Sequence, residues 1–560
     1  MVKKDSVTKK DKEEPVDSTL QMVVDDFKAS WDYTSSSWHS RWEDNYKLYN
    51  NNRVKIGYKG ITNTFVPMVY STVETMTAAL FGSKPKVSYI APKDRQDQKT
   101  DILNNLLDYY WDIDQWSLKT INTGRGMFNL GTSVDYFMWD IDHPVMINVP
   151  IRDFFIDPLS NGLDGARYCG RRYLSTIEQL EEFEIVDPED KSEEPKMIKR
   201  FKNLDKINAG TTSDSEKTDK EEKDYLYGST LQNPKGKQVE VIEYWTPTRT
   251  ITVVNREIVA EDVENWFLQR AKSLGMKVTK GLMPFADARC IIDPSLFYAK
   301  GITDFIADQQ ELLNDITNQN IDSITFILNQ MYTIDPKYAD MIKEIENIPG
   351  AVYPFEAGAL QPINQRPIPS DAFNERMNIK NEIRETTASN ETIKGVGQTG
   401  STTATEIQAQ MAGSANRINM YITGIENGYF HRVAQIVFEM IRLYVTEPAM
   451  VRIIGKDGVR WELFDPEEFR EGTYEPRVQL ETSVENDKLK KANVGKELLG
   501  AFLNDPEINQ IALKKKVLQY SFELDPDEVD ELVQKQPTQQ AAVLPGASGE
   551  MPMESQVPII

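Results

Sequence analysis

The segment Thr403–Tyr444 constrains this chain more than any other. Ile407, Met411, Ile418, Ile422, Ile425, Tyr429, Val433, Ile436, Met440 and Tyr444 recur at steps of three, four or seven, the spacing of one helix face. At about 1.5 Å per residue, roughly forty residues make a rod of about 60 Å. Gly413, Gly424 and Gly428 are its expected bend points. Such a rod carries more apolar length than one α+β region covers. Cyclic repetition of identical subunits would bury it with no free edge, so a closed ring is expected.

Two further helices precede the rod. Ile302–Leu328 carries Ile302, Phe305, Ile306, Leu312, Leu313, Ile316, Ile324, Ile327 and Leu328 at helical spacing. Asp304, Asp308, Glu311, Asp315 and Asp322 share that spacing and are expected opposite the apolar stripe. Asp335-Pro336 and the run Pro349–Pro369 exclude a continuous helix. Tyr338–Ile345 reads there as a short helix and Gly350–Phe355 as a strand. Ser370 is placed to cap a second helix over Asp371–Ile393.

Between that helix and the rod lies Lys394-Gly395-Val396-Gly397-Gln398-Thr399-Gly400-Ser401-Thr402. Its glycines fit G-x-G-x-x-G, but a dinucleotide fingerprint needs a preceding strand and a βαβ unit. A polar helix precedes and a long helix follows. Read as a phosphate-binding loop, it has Ser401 where the lysine belongs. The bland reading is a linker. A functional mobile loop is preferred, because glycines permit many conformations and Gln398, Thr399, Ser401 and Thr402 offer neutral hydrogen-bonding groups. No nucleotide or other cofactor is expected.

Composition removes other classes. The chain has 560 residues, 40% of them hydrophobic, and a formal charge of -23. A protein that grips duplex DNA from outside carries a basic balance; this one could surround nucleic acid without holding it. Cys169 and Cys290 are its only cysteines, and His39, His143 and His431 its only histidines. That excludes a disulfide framework and a cysteine metal cluster, and leaves no catalytic or metal-binding residue to nominate. No run of about 18 apolar residues spans a membrane. Met1–Pro15 lacks the apolar centre of a signal peptide, so the producing cell's cytoplasm is the default location.

The rest reads as α+β. Residues 1 to 20 read as a disordered arm. Phe27, Trp31, Trp38 and Trp42 mark a helix entering the fold, and the cluster Trp31, Trp38, Trp42 and Tyr46 reads as core or subunit contact rather than a base-stacking platform. Helices are expected over Ile61–Phe81, with Pro67 in its first turns, over Asp97–Trp111 and over Ser117–Leu130. Strands are expected over Pro85–Ala91, Thr132–Trp139 and Val145–Val149. Ser175 and Glu178 suggest a capping box for Ser175–Phe183. Asp187–Lys223 reads as an exposed acidic insertion. Strands return at Gln238–Trp245, Ile251–Val254 and Glu257–Val259. Past the rod, Val451–Ile454 and Val459–Leu463 flank the hairpin signal Lys456-Asp457-Gly458. Arg477–Glu481 reads as a strand, and helices as Asn486–Leu503, Pro506–Tyr520 and Pro526–Val533. A Gln- and Pro-rich tail follows from Gln534.

Several of these stretches, in this order, resemble portal proteins of tailed bacteriophages. They are Phe65-Val66-Pro67 through Lys84-Pro85-Lys86-Val87, Val149-Pro150-Ile151-Arg152-Asp153-Phe154-Phe155-Ile156-Asp157-Pro158, Phe297-Tyr298-Ala299-Lys300-Gly301-Ile302 leading into Asp308-Gln309-Gln310-Glu311-Leu312-Leu313-Asn314, and Thr403-Ala404-Thr405-Glu406-Ile407. The resemblance covers residues 40 to 480. It implies a ring, usually dodecameric, at one capsid vertex of the virion, assembled in the host cytoplasm, with double-stranded DNA passing through during packaging and ejection. It implies an α+β wing over 21–299 and 446–485, and stem helices over 300–330 and 370–393. A clip would lie over 331–369, a tunnel loop over 394–402, a spine over 403–445 and a helical crown over 486–533. The implied partners are further copies of the chain, major capsid and scaffolding proteins, terminase, and a head-completion or tail adaptor protein. No membrane is implied. Asp304, Asp308, Glu311, Asp315 and Asp322 would line the DNA channel, an acidic wall that keeps the duplex mobile. Met331, Tyr332, Tyr338, Tyr353, Phe355 and Arg366 would carry the clip's partner contacts. The alternatives are a nucleotide-dependent enzyme using the glycine loop and a helical cytoplasmic scaffold.

Overall fold

The computed structural model describes residues 18–51, 62–90, 98–140, 143–186, 197–207, 238–329, 331–341, 356, 358–363, 370–387, 417–445, 449–455, 458–464, 466, 475–479 and 510–521. The chain divides into two units, Met1–Thr482 and Ser483–Ile560. The first opens with α1 (Ser18–Ser37), α2 (His39–Asn50), α3 (Met68–Phe81), β1 (Lys86–Ile90), α4 (Gln98–Ile113) and α5 (Trp116–Leu130). Strands β2 (Thr132–Asp140), β3 (His143–Val149), β4 (Phe154–Ile156) and β5 (Cys169–Thr176) follow, then α6 (Ile177–Glu182), β6 (Glu184–Val186) and β7 (Met197–Lys199). Next come β8 (Gln238–Trp245), β9 (Arg249–Val254), β10 (Ile258–Glu264), α7 (Trp266–Ser273), β11 (Phe285–Arg289) and α8 (Thr303–Leu328). After α8 lie β12 (Tyr332–Ile334), β13 (Leu360–Pro362), α9 (Ser370–Thr387), α10 (His431–Tyr444), β14 (Ala449–Gly455), β15 (Gly458–Phe464) and β16 (Glu475–Gln479). The described part of the second unit is α11 (Gln510–Ser521).

The fold is mixed α+β. One antiparallel sheet runs β10-β9-β8-β5-β4 and another β11-β2-β3. β1 pairs with β16, Lys86 opposite Gln479, so the two ends of the first unit share one ladder. The main core joins Trp38, Trp42, Val73, Phe128, Phe137, Phe285 and Tyr298 to the apolar face of α10, where Val433, Ile436, Val437, Met440 and Ile441 are buried. Trp38 and Trp42 pack on Tyr298, with ring centroids 5.8 and 5.3 Å away.

One glycine positions α8. Gly131 takes φ +89°, and a Cβ there would lie 2.1 Å from the Ala299 carbonyl oxygen, so only glycine fits the approach. Ile302 N–H donates to Phe128 O at 2.8 Å and Cys290 N–H to Gly131 O at 2.9 Å, which fixes where α8 begins.

Several expected elements shift. α3 begins after Pro67, which is its N-cap, and residues 62–67 are extended rather than helical. The N–H groups of Thr62, Thr64 and Val66 are taken by α8 side chains, described below. The capping box belongs to Thr176 and Gln179, not Ser175 and Glu178: Gln179 N–H donates to Thr176 Oγ1 at 3.3 Å, and Gln179 Oε1 accepts from Thr176 N–H at 3.2 Å. Ser175 lies within β5, opposite Val239. β3 begins at His143, two residues before the expected Val145. Within the span read as a solvated insertion, residues 197–207 fold: Arg200, Phe201, Leu204 and Ile207 are buried. β11, α7 and the β12–β13 pair were not expected. Tyr338 lies in a 3₁₀ turn over Pro336–Met341. The strand expected at Gly350–Phe355, the glycine loop and the helices at Asn486–Leu503 and Pro526–Val533 lie outside the described residues.

The rod is described from residue 417 to Tyr444. Its axis is interrupted by a π turn over Ile425–Phe430, between α-helical residues 417–424 and α10. Two expected bend points, Gly424 and Gly428, flank and enter that turn. The wider turn brings the consecutive Tyr429 and Phe430 both into the core, at 1% and 2% exposure.

Candidate functional site

α8 is not oil on one face and acid on the other. Its buried face holds Ile306, Gln310, Leu313, Asn314, Thr317, Asn318 and Asn320. Phe305, Leu312, Ile324, Ile327 and Leu328, expected inside, are exposed. The reason is the extended segment beside the helix. Thr62 N–H donates to Asp322 at 2.8 Å, Thr64 N–H to Asn318 at 2.7 Å, Val66 N–H to Asn314 at 2.9 Å and Met68 N–H to Gln310 at 3.1 Å. Gln310 Nε2 returns a bond to Val66 O at 2.6 Å and Asn318 Nδ2 one to Thr64 O at 3.1 Å. Four helical residues rise about 6 Å, and two extended residues span about 6.6 Å. The two repeats match, so helix side chains satisfy an antiparallel segment as a neighbouring strand would.

The five acidic residues separate. Asp304 is tied within the protomer: Asn45 Nδ2 donates to it at 3.0 Å and Gly301 N–H at 2.7 Å, and Arg41 lies 3.5 Å away. Asp322 accepts from Thr62. Asp308 and Asp315 are exposed on the same side of α8 as Phe305 and Leu312, and Glu311 is exposed at the edge of that side. α9 buries Ile379 and Ile383. Beside them Arg376, Lys380 and Arg384 form a half-buried ladder at intervals of four. Burial, then the charges of Arg376 and Arg384, hold the Lys380 ammonium below its ordinary range. Of the residues expected to meet partners, Met331 is exposed and Tyr332 and Tyr338 are half-buried. Tyr353, Phe355, Arg366 and Lys394–Thr402 lie outside the described residues.

Two buried polar centres escaped the reading of the sequence. The first holds the π turn. Asp135 of β2 is fully buried, and Tyr429 Oη donates to it at 2.7 Å, Thr123 Oγ1 at 2.7 Å and Asn148 Nδ2 at 2.6 Å. Burial pushes this carboxyl up to about 6, against those three hydrogen bonds. The second fastens the 197–207 segment to the large sheet. Arg200 Nη2 donates to Glu243 at 3.0 Å and its Nε to Glu261 at 3.1 Å, and Arg171 Nε reaches Glu243 at 2.7 Å. The Arg200 guanidinium lies 4.1 Å from the Trp266 ring centroid. Burial alone raises both carboxyls. For Glu243 two guanidiniums outweigh it and hold the group low; Glu261 stays high. The signals were present as charges inside otherwise apolar strands, and, for the α8 ladder, as Gln310, Asn314 and Asn318 at intervals of four.

Among the described residues, no group of three or more His, Cys, Asp or Glu side chains could hold a metal ion, and no helix is long and apolar enough to cross a membrane. A family model described as Phage SU10 portal protein matches residues 129–495. That stretch runs from the end of α5 past β16 and includes both sheets, α8, α9 and the rod. No curated protein matches the chain.

Proposed function

The chain belongs to the phage SU10 portal protein family, and on that premise we propose that it is the portal of a tailed phage: a homo-oligomeric ring at one capsid vertex through which double-stranded DNA is packaged and ejected. The family match over 129–495 carries this reading. The segment order supports it. Two helices, α8 and α9, flank a short two-stranded element, β12–β13, and an interrupted rod follows. In this reading α8 and α9 are the stem and β12–β13 belongs to the clip. Residues 394–402 are the tunnel loop, and the two larger sheets form the wing. Terminase and a tail adaptor dock in turn on the clip, where Met331 is exposed. The work is structural and positional rather than catalytic.

Electron microscopy of the purified full-length protein tests it. Closed rings with a central hole wide enough for duplex DNA are expected. Protein that remains monomeric across assembly-relevant salt and concentration overturns it.

A further inference from the structure

We infer that the outer face of α8 in one copy packs against the outer face of α9 in the next, forming a seam of opposite charge. The inference rests on the ring reading above.

On α8, Phe305, Asp308, Leu312 and Asp315 follow one another at steps of three, four and three, so they share one side of the helix. All four are exposed in the protomer, Phe305 to 44% and Leu312 to 49%. On α9, Phe373, Arg376, Met377, Lys380 and Arg384 likewise share one side. Phe373 is 44% and Met377 54% exposed. Each face therefore sets two large exposed apolar groups among charges of a single sign, acidic on α8 and basic on α9.

The occupant follows from that complementarity. A face paired with its own kind would set like charges together. The α8 face paired with the α9 face of another copy joins carboxylates to cations and covers four exposed apolar side chains. Because the faces differ, the contact is heterologous: it runs head to tail and closes only as a ring. The crowded cations of α9 gain most, since Lys380 is already disfavoured as an ammonium by its burial and its neighbours. Glu311 lies at the edge of the α8 face and is left outside the seam.

The test uses full-length protein and sedimentation velocity at low salt. Asp308→Lys/Asp315→Lys should raise the concentration for half-assembly at least tenfold, and Arg376→Glu/Lys380→Glu should do the same. All four changes in one chain make the α8 face basic and the α9 face acidic on balance, Arg384 remaining, and should restore assembly. Circular dichroism confirms that each variant is folded. Wild-type rings mixed from ¹⁴N and ¹⁵N protein and treated with a carbodiimide should give a link between Asp308 or Asp315 of one copy and Lys380 of another; this needs no variant to fold. Rings that form equally well from either double variant overturn the seam. If those rings also pass DNA more slowly, the carboxylates belong to the channel wall instead. Wild-type protein that never assembles overturns the ring reading itself, and the seam with it.

Discussion

Asn314 Oδ1 accepts the backbone N–H of Val66 at 2.9 Å, joining the middle of α8 to a segment 248 residues earlier. The same oxygen accepts from Gln310 Nε2 at 3.0 Å. One amide therefore serves both the ladder and its neighbour within the ladder. No side chain of residues 62–67 is fully buried, though Val66 packs against the core, and these bonds tie the segment to the helix.

Asn314→Ala should leave Val66 N–H without its acceptor and lower stability by about 1–3 kcal/mol, the cost of an unsatisfied buried donor. Chemical denaturation measures the loss. Amide exchange over residues 62–68 should quicken, while that of β8 and β9 stays unchanged. Unaltered exchange at 62–68 would show that the ladder contributes nothing to holding the segment.

Asp135 makes stability depend on pH in a direction opposite to a salt-bridged carboxylate. Its carboxyl titrates at about 6 in the fold against 3.8 for the ordinary group, so the folded state binds the proton more tightly. The stabilisation from protonation is complete below pH 3.8 and is lost as pH rises through about 6. At about 1.4 kcal/mol per pH unit, the stability of wild type relative to Asp135→Asn should fall by about 2 kcal/mol between pH 4 and pH 7. Denaturation of both proteins across that range cancels the titrations they share. A difference independent of pH would mean that Asp135 is not the buried titrating group.

Arg200 is the cation between two carboxylates, Glu243 at 0% and Glu261 at 2% side-chain exposure. Arg200→Met should cost about 3–5 kcal/mol, because Glu261 loses its guanidinium partner and Glu243 keeps only Arg171. Arg249→Met, at the more exposed pair with Asp262, should cost less than about 1 kcal/mol. Melting of the purified variants separates the two. Equal small losses would mean that the 197–207 segment is held by Phe201, Leu204 and Ile207 alone.

The sequence by itself determined whatever a few consecutive residues decide. α8 and α10 are legible because their apolar residues recur within each turn. The β14–β15 hairpin is legible because Lys456-Asp457-Gly458 sits between two alternating runs. The α+β class follows from the order of such segments, and the family from short motifs in that order. Tertiary structure decided whatever needs a distant partner. Pro67 would be tolerated inside a helix's first turn, yet residues 62–67 are extended because Asp322, Asn318 and Asn314 accept the N–H groups of Thr62, Thr64 and Val66. That same demand puts amides on the buried face of α8 and leaves Phe305 and Leu312 exposed, against the hydrophobic pattern. The pairing of β1 with β16 and the hold of Asp135 on Tyr429 join residues hundreds of positions apart. A hydrogen bond is worth its energy only when both partners arrive at the same place, and local spacing does not say which distant segment will arrive.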